Sequence, residues 1–327
     1  MTSAPVLTVE HLSTGFARGG SPRDVVHDVS FEVPVGGTLV VLGESGSGKS
    51  VTVRSILGLY GRRAFHTGSV RLDGAEILGT ATRRLLGRRM SLVPQDPAGA
   101  LDPMRSIGAQ IREVLRVHGI AESRGDARRR AVELLRTVGI PDPEHAARRR
   151  QHELSGGMRQ RAVIALAVAC EPDLLFADEP TSALDVSVQA QILGLFTGLR
   201  DQLGTALVVV THDVAVAAAL GGDIAVMYAG RIVEHGPTQD VLTRPSHPYT
   251  AGLLASIPRP GTPRGQLPAL PGRPPAPGLR STGCAFVPRC SSARPECGES
   301  VPQLVTVAPG HSAACPVTAR RVKEVIR

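Results

Sequence analysis

Short apolar runs closed by Gly, Pro or acidic turns recur along the chain, and their spacing predicts buried strands alternating with helices. Thr38-Leu39-Val40-Val41-Leu42 is a continuous apolar run of strand length, and Val51 to Leu59 reads as a helix after it. Residues 6 to 10 and 28 to 35 have strand patterning and flank a polar Arg/Gly/Ser/Pro turn at 17 to 24, which predicts an antiparallel sheet near the N-terminus. Strands are also expected at 68–74, 89–94, 173–179 and 207–210. Between 105 and 170 the period changes: Ile107, Ile111, Val114, Leu115 and His118 form one helical face, and Ala131, Val132, Leu134, Leu135 and Val138 another. The pattern is that of an α/β protein with a helical subdomain at about 96–168.

The chemistry collects at the ends of these runs. Gly43-Glu44-Ser45-Gly46-Ser47-Gly48-Lys49-Ser50 reads G-x-x-x-x-G-K-S, a P-loop lying between a strand and a helix. Its glycines let successive backbone N–H groups turn toward phosphate oxygens, and the following helix, opening at Val51, presents its positive end to the same anion. Lys49 is expected on the β and γ phosphates of ATP and Ser50 on Mg²⁺. Gln95, directly after a strand, can ligate Mg²⁺ through its amide oxygen and contact the attacking water. Asp178 and Glu179 end a buried strand: Asp178 suits an outer ligand of Mg²⁺, and Glu179 suits the group that polarises water. His212, after the strand at 207–210, can touch the γ phosphate and hold the water with Glu179. Phe16 can stack on an adenine ring with Val26 beside it. Leu154-Ser155-Gly156-Gly157-Met158-Arg159-Gln160 opens a second helix with an N-cap serine and two glycines, which makes a second anion site. Two separated anion-binding helix starts imply that one completes the other across a dimer.

Composition narrows the class. With 327 residues the chain has room for about two domains. Its net charge of +8 is carried by arginine, since Lys49 and Lys323 are the only lysines, and the arginines are scattered rather than gathered on one segment. No apolar stretch follows Met1 and no run approaches the roughly 18 residues that span a bilayer, so a protein that is cytoplasmic or peripheral to the membrane is expected. Eight prolines fall between Pro258 and Pro277, which predicts a stiff linker at 258–282 separating residues 1–257 from a cysteine-rich region at 283–327. That tail holds Cys284, Cys290, Cys297 and Cys315, spaced C-x5-C-x6-C-x17-C. A tail so small needs a staple, and in a reducing compartment a metal is the expected one. The paired C-x2-C knuckles that zinc prefers are absent, and Cys315-Pro316 resembles the ending of some iron-sulfur runs. A 4Fe-4S cluster is therefore expected, with zinc and unbound thiols as the alternatives.

In order and spacing, Gly43 to Ser50, Gln95, Leu154 to Gln160, Leu174 to Glu179, Ser182 to Asp185 and His212 resemble an ABC-transporter ATPase subunit over about residues 5 to 255. Within that superfamily the chain is similar to the dipeptide/oligopeptide and nickel importers. Gly43-Glu44-Ser45-Gly46, Gln95-Asp96-Pro97, Leu101-Asp102-Pro103, Ser155 to Arg161, Cys170-Glu171-Pro172, His247-Pro248-Tyr249-Thr250 and the four-cysteine tail carry the likeness. Phe16 stands where a tyrosine often stacks, and Pro94-Gln95 replaces the usual aromatic-Gln. The resemblance implies a RecA-like core with antiparallel β and helical subdomains. It also implies a head-to-tail dimer with a similar or identical subunit, in which Ser155, Gly156, Gly157, Gln160 and Asp185 reach the partner's ATP. Two membrane-spanning permease subunits would dock near Gln95 to Arg105, and an extracytoplasmic solute-binding protein would deliver cargo at the opposite face. The cargo implied is dipeptides or oligopeptides, with nickel as the alternative. A soluble ABC-type ATPase on nucleic acid is disfavoured, because the 104 residues between Ser50 and Ser155 leave no room for a long coiled-coil arm. Nucleic acid is not an expected partner.

Overall fold

A computed structural model describes residues 4–18, 21–79, 82–257, 269–276, 278–279 and 281–319. Most of the proline-rich stretch and the chain beyond 319 lie outside the described residues. The chain divides into two compact units, one of Met1–Leu7, Val33–Thr38 and Thr80–Val210, the other of Thr8–Glu32, Leu39–Gly79 and Thr211–Arg327.

In the first unit Leu174–Asp178 lies between two parallel neighbours. Met90 to Val93 pair with Leu174 to Ala177 on one side, and Ala206 to Val210 pair with Leu174 to Asp178 on the other. All five residues of the central strand are buried, as expected for a parallel strand covered on both faces, and this explains its unbroken apolar run. Gln95 and Glu179 follow the carboxyl ends of Met90–Val93 and Leu174–Asp178. Ligands of open α/β sheets bind at such ends, because the strands deliver their connecting loops there.

The helices of this unit are Ile107–Val117, Arg124–Thr137, Pro143–Ala146, Gly156–Ala167 and Val186–Leu203. Ser106, Ser123 and Ser155 cap three of them, each hydroxyl accepting a backbone N–H from the first turn, and such a cap is worth about 1 kcal/mol. Ile107, Ile111 and Leu115 are buried on one face, and Ala131, Leu135 and Val138 on another, so the 3.6-residue period located both helices correctly.

In the second unit Thr38–Leu42 runs parallel to Asp223–Tyr228, with Leu42 opposite Val226. Asp223–Tyr228 pairs antiparallel with Arg231–Pro237, which pairs with His311–Ala313, and that strand with Val305–Ala308. The cysteine-rich tail thus adds two strands to the sheet edge. A four-stranded sheet in the order Ser21–Pro34, Pro5–Arg18, Ala64–Leu72, Ala75–Glu76 contains the strands expected at 6–10 and 28–35, but its first two strands extend through Arg18 and from Ser21, so much of the stretch expected as a turn at 17–24 is strand.

One buried carboxylate ties the tail down. Glu234, with no exposed surface, accepts the backbone N–H groups of Ser246 and His247 at 2.6 and 2.9 Å. It also hydrogen-bonds Nε2 of His311 at 2.7 Å. His247 then caps Pro248–Ala255, its Nδ1 accepting the N–H of Tyr249 at 3.0 Å. Burial pushes the His247 imidazole down to about 4, so the ring is neutral at physiological pH and stays available as an acceptor. Among the described residues no helix is long and apolar enough to cross a membrane.

Candidate functional site

The P-loop joins Thr38–Leu42 to the helix Lys49–Ile56. Gly43 is fixed by close approach, since a Cβ there would stand 2.3 Å from the carbonyl oxygen of Met227. Gly48 caps the helix at φ +105°, a conformation that side chains oppose. The loop is closed by Ser47 N–H to Glu44 O at 3.2 Å and anchored by Gly43 N–H to Thr211 O at 3.3 Å and Gly230 N–H to Ser47 O at 2.8 Å. Lys49 is buried, and its ammonium donates to the carbonyls of Gly43 and Glu44 at 2.8 and 2.9 Å. Ser45 and Gly46 are exposed, and Ser50 and Val51 half-buried.

A phosphate chain fits this loop on two observations. The Ser47 hydroxyl is buried with no hydrogen-bond partner, which is costly unless a ligand supplies one. At Gly46, φ +80°, a Cβ would meet nothing within 4 Å, so that side of the loop is open.

Phe16 is half-buried and meets Tyr60 edge to face at 5.0 Å. Val26 has no exposed surface and belongs to the core. His212 is exposed in the turn after Ala206–Thr211.

In the first unit Glu179 sits at φ +47°, a left-handed conformation rare for a residue with a side chain and common where function demands it. Its N–H donates to Val210 O at 2.9 Å. Its carboxylate accepts a hydrogen bond from Nε2 of Gln95 at 2.9 Å, so the two residues read separately from the sequence come together. Asp178, one residue earlier, is 1% exposed.

Ser155 accepts from Met158 N–H at 3.3 Å and opens its helix as expected, with Gly156 and Gly157 at its exposed start. Gln160 is 2% exposed, and its Nε2 has no hydrogen-bond partner. Asp185 caps Val186–Leu203, accepting from Val188 N–H at 2.9 Å and the Ser187 hydroxyl at 2.7 Å. The Ser187 hydroxyl and that amide hold its carboxyl below the usual range.

The four tail cysteines are free thiols gathered in one place. Cys297, Cys315 and Val317 are buried together with Cys284 and Val287 against them. Burial pushes the Cys284 thiol up, and Cys315, Cys297 and Cys290 lie near enough to push it further. Even so, no group of three or more His, Cys, Asp or Glu side chains among the described residues is placed to hold a metal ion. The expected iron-sulfur ligand set is therefore not found preformed, and neither is a zinc site. The sulfurs pack as small apolar groups around two valines, a role that spacing alone does not distinguish from ligation.

Sequence reasoning missed Tyr249 and Arg289 as P-loop partners. The backbone N–H of Glu44 donates to the Tyr249 hydroxyl at 2.9 Å. Arg289, buried in the tail, donates from both terminal nitrogens to the Glu44 carboxylate at 2.6 and 2.9 Å.

Comparison with known proteins agrees with this geometry. The family described as ABC transporter matches residues 26–182, and the family described as oligopeptide/dipeptide transporter, C-terminal region, matches 233–297. A probable peptide ABC transporter ATP-binding protein of Sinorhizobium fredii is 44% identical over 95% of this chain and 94% of its own length. The chain belongs to the ATP-binding proteins of the peptide ABC-importer family. A putative peptide import ATP-binding protein of Brucella abortus is 45% identical over 96% of this chain and 98% of its own. The oligopeptide transport ATP-binding protein OppD of Mycobacterium tuberculosis is 44% identical over 99% of this chain, which spans only 54% of that longer protein. Among solved structures, the ATP-binding cassette MJ0796, a dimer in a post-hydrolysis state with ADP and Pi, superposes with a TM-score of 0.63. It is 26% identical and covers 71% of this chain and 98% of its own. The fold of this family member is thus the α/β ABC ATPase fold.

Proposed function

We propose that this protein is the ATP-binding and ATP-hydrolysing subunit that powers import of dipeptides or oligopeptides, working at the cytoplasmic face of the membrane. The observation that carries the reading is the P-loop: a closed glycine cradle with Lys49 buried on it and one serine hydroxyl unsatisfied. The backbone amides of Gly46 to Lys49 bind phosphate oxygens, and Lys49 moves its ammonium from loop carbonyls to the β and γ phosphates. Mg²⁺, when bound, would neutralise charge on those phosphates; Ser50 and, in the other unit, Asp178 and Gln95 are the residues whose chemistry suits holding it. Glu179, oriented by Gln95, polarises the attacking water, and His212 has the chemistry to touch the γ phosphate. Phe16 stacks on the base.

The subunit works with a second ATPase copy or a similar subunit, to which Ser155, Gly156, Gly157, Gln160 and Asp185 contribute in trans, and with two membrane-spanning permease subunits. An extracytoplasmic solute-binding protein brings the peptide. Peptide is favoured over nickel as cargo because the relatives similar over nearly the whole chain are described as peptide transporters or peptide importers. The test is ATP hydrolysis by the assembled complex with and without peptide.

Three of the four tail cysteines pack together and Cys290 lies near them, so the donor types a cluster needs are close to one another, although no metal-holding group is preformed among the described residues. Cys284, Cys290, Cys297 and Cys315 would be the ligands of a 4Fe-4S cluster that folds the tail. Protein purified without oxygen is expected to be brown and to hold about four iron per chain. Colourless protein with one zinc or no metal would overturn this assignment.

A further inference from the structure

The second residue of the P-loop is held from outside the ATPase motifs. Glu44 gives its N–H to the Tyr249 hydroxyl, and its carboxylate takes the two-pronged fork of Arg289. Arg289 is 6% exposed. Its Nε donates to Pro271 O at 2.8 Å, and one terminal nitrogen also reaches the Tyr228 hydroxyl at 3.4 Å. The guanidinium lies 5.7 Å from the Tyr228 ring centre and 5.9 Å from that of Phe286. Its hydrogen bonds to Glu44 raise its proton affinity above the usual arginine value. The residue ends the short turn Val287–Arg289 just before Cys290, and that turn is closed by Val287 N–H to Cys284 O at 3.1 Å and Cys290 N–H to Val287 O at 3.2 Å.

The fork matters because of what else is near Glu44. The Lys49 ammonium already sits 2.9 Å from the carbonyl oxygen of that same residue. A carboxylate released beside that carbonyl would compete with phosphate for the Lys49 ammonium. The same carboxylate would also repel an incoming phosphate chain. A bidentate arginine is suited to prevent this, since it fixes both carboxylate oxygens in one plane as well as neutralising them.

We propose that Arg289 is a positioning residue of the ATP site: from the cysteine turn of the tail it holds the Glu44 carboxylate away from Lys49, and so keeps the P-loop competent for phosphate. The tail thereby has a direct part in nucleotide affinity. This rests on the P-loop being the ATP site.

The test is calorimetric titration of the full chain with a non-hydrolysable MgATP analogue. Arg289→Gln is expected to bind at least about tenfold more weakly, with the deficit shrinking at high salt as the freed charge is screened. Adding Glu44→Gln to that variant removes the competing carboxylate and is expected to restore affinity to within about threefold of wild type. A purely structural brace predicts the opposite, that the double variant is at least as weak as the single one, and that result overturns the proposal. So does wild-type affinity in Arg289→Gln. If Arg289→Gln does not fold, Arg289→Lys alone and combined with Glu44→Gln gives the same comparison, and a double variant no tighter than Arg289→Lys overturns the proposal equally. Failure of the ATP-site reading itself shows differently: wild type would not bind the analogue, or Lys49→Ala would bind it unchanged.

Discussion

Glu179→Gln is expected to bind MgATP much as wild type does and to lose hydrolysis by about two to four orders of magnitude. Glutamine keeps the size of the side chain and can keep a hydrogen bond with Gln95, so the strand end and its left-handed backbone at φ +47° need not move. What it lacks is a negative oxygen to orient and polarise water. A loss in kcat with nucleotide affinity retained is the signature of an interaction made in the transition state alone. With hydrolysis blocked and binding intact, the variant also accumulates as a closed, ATP-bound dimer. Phosphate release and size-exclusion chromatography in MgATP measure the two effects, and near-normal turnover by the complex assembled with its permease removes Glu179 from the catalytic role.

Ser155→Arg is expected to abolish ATP-driven closure, and with it hydrolysis, while the P-loop of the same chain still binds nucleotide. The structural cost is small: the serine contributes one cap, to Met158 N–H at 3.3 Å, worth about 1 kcal/mol. The functional cost expected from the proposed trans role is large, because a bulky cation would stand at the helix start, with Gly156 and Gly157, that this role assigns to the partner's phosphate. Nucleotide binding measured beside dimerisation separates the cases. Loss of both together would point to misfolding or to a site built within one chain.

The strand ends were legible in the sequence because a buried parallel strand writes an unbroken apolar run, and the residue after it stands at the sheet's functional edge. Gln95 and Glu179 are 84 positions apart, and each was readable from its own strand. Their hydrogen bond was not. Ser155 was readable as a cap because serine before a helix start has one main use. Asp185, read as a residue that acts in trans, caps its own helix, a local function that its position before Val186–Leu203 also announced. Val26 was expected beside the adenine and is fully buried, since an apolar residue in a strand does not declare which face it occupies. Arg289 was invisible for a physical reason. Its partner Glu44 is 245 residues away, and in a chain whose positive charge is nearly all arginine nothing marks one arginine as buried. The cysteines show the complementary limit: their shared tail announced that they would gather, but the spacing did not say whether the sulfurs would hold a metal or pack as apolar groups.

The central claim is that ATP hydrolysis by this subunit drives peptide import. The most direct measurement is phosphate release by the full complex, reconstituted in lipid vesicles with its permease subunits, a second ATPase subunit and the solute-binding protein, as peptide concentration is varied. Hydrolysis is expected to rise severalfold with peptide-loaded binding protein, to be abolished by Glu179→Gln, and to be matched by peptide accumulation in the vesicle compartment on the ATPase side. Hydrolysis indifferent to peptide, or peptide accumulation that persists in the Glu179→Gln complex, would contradict it.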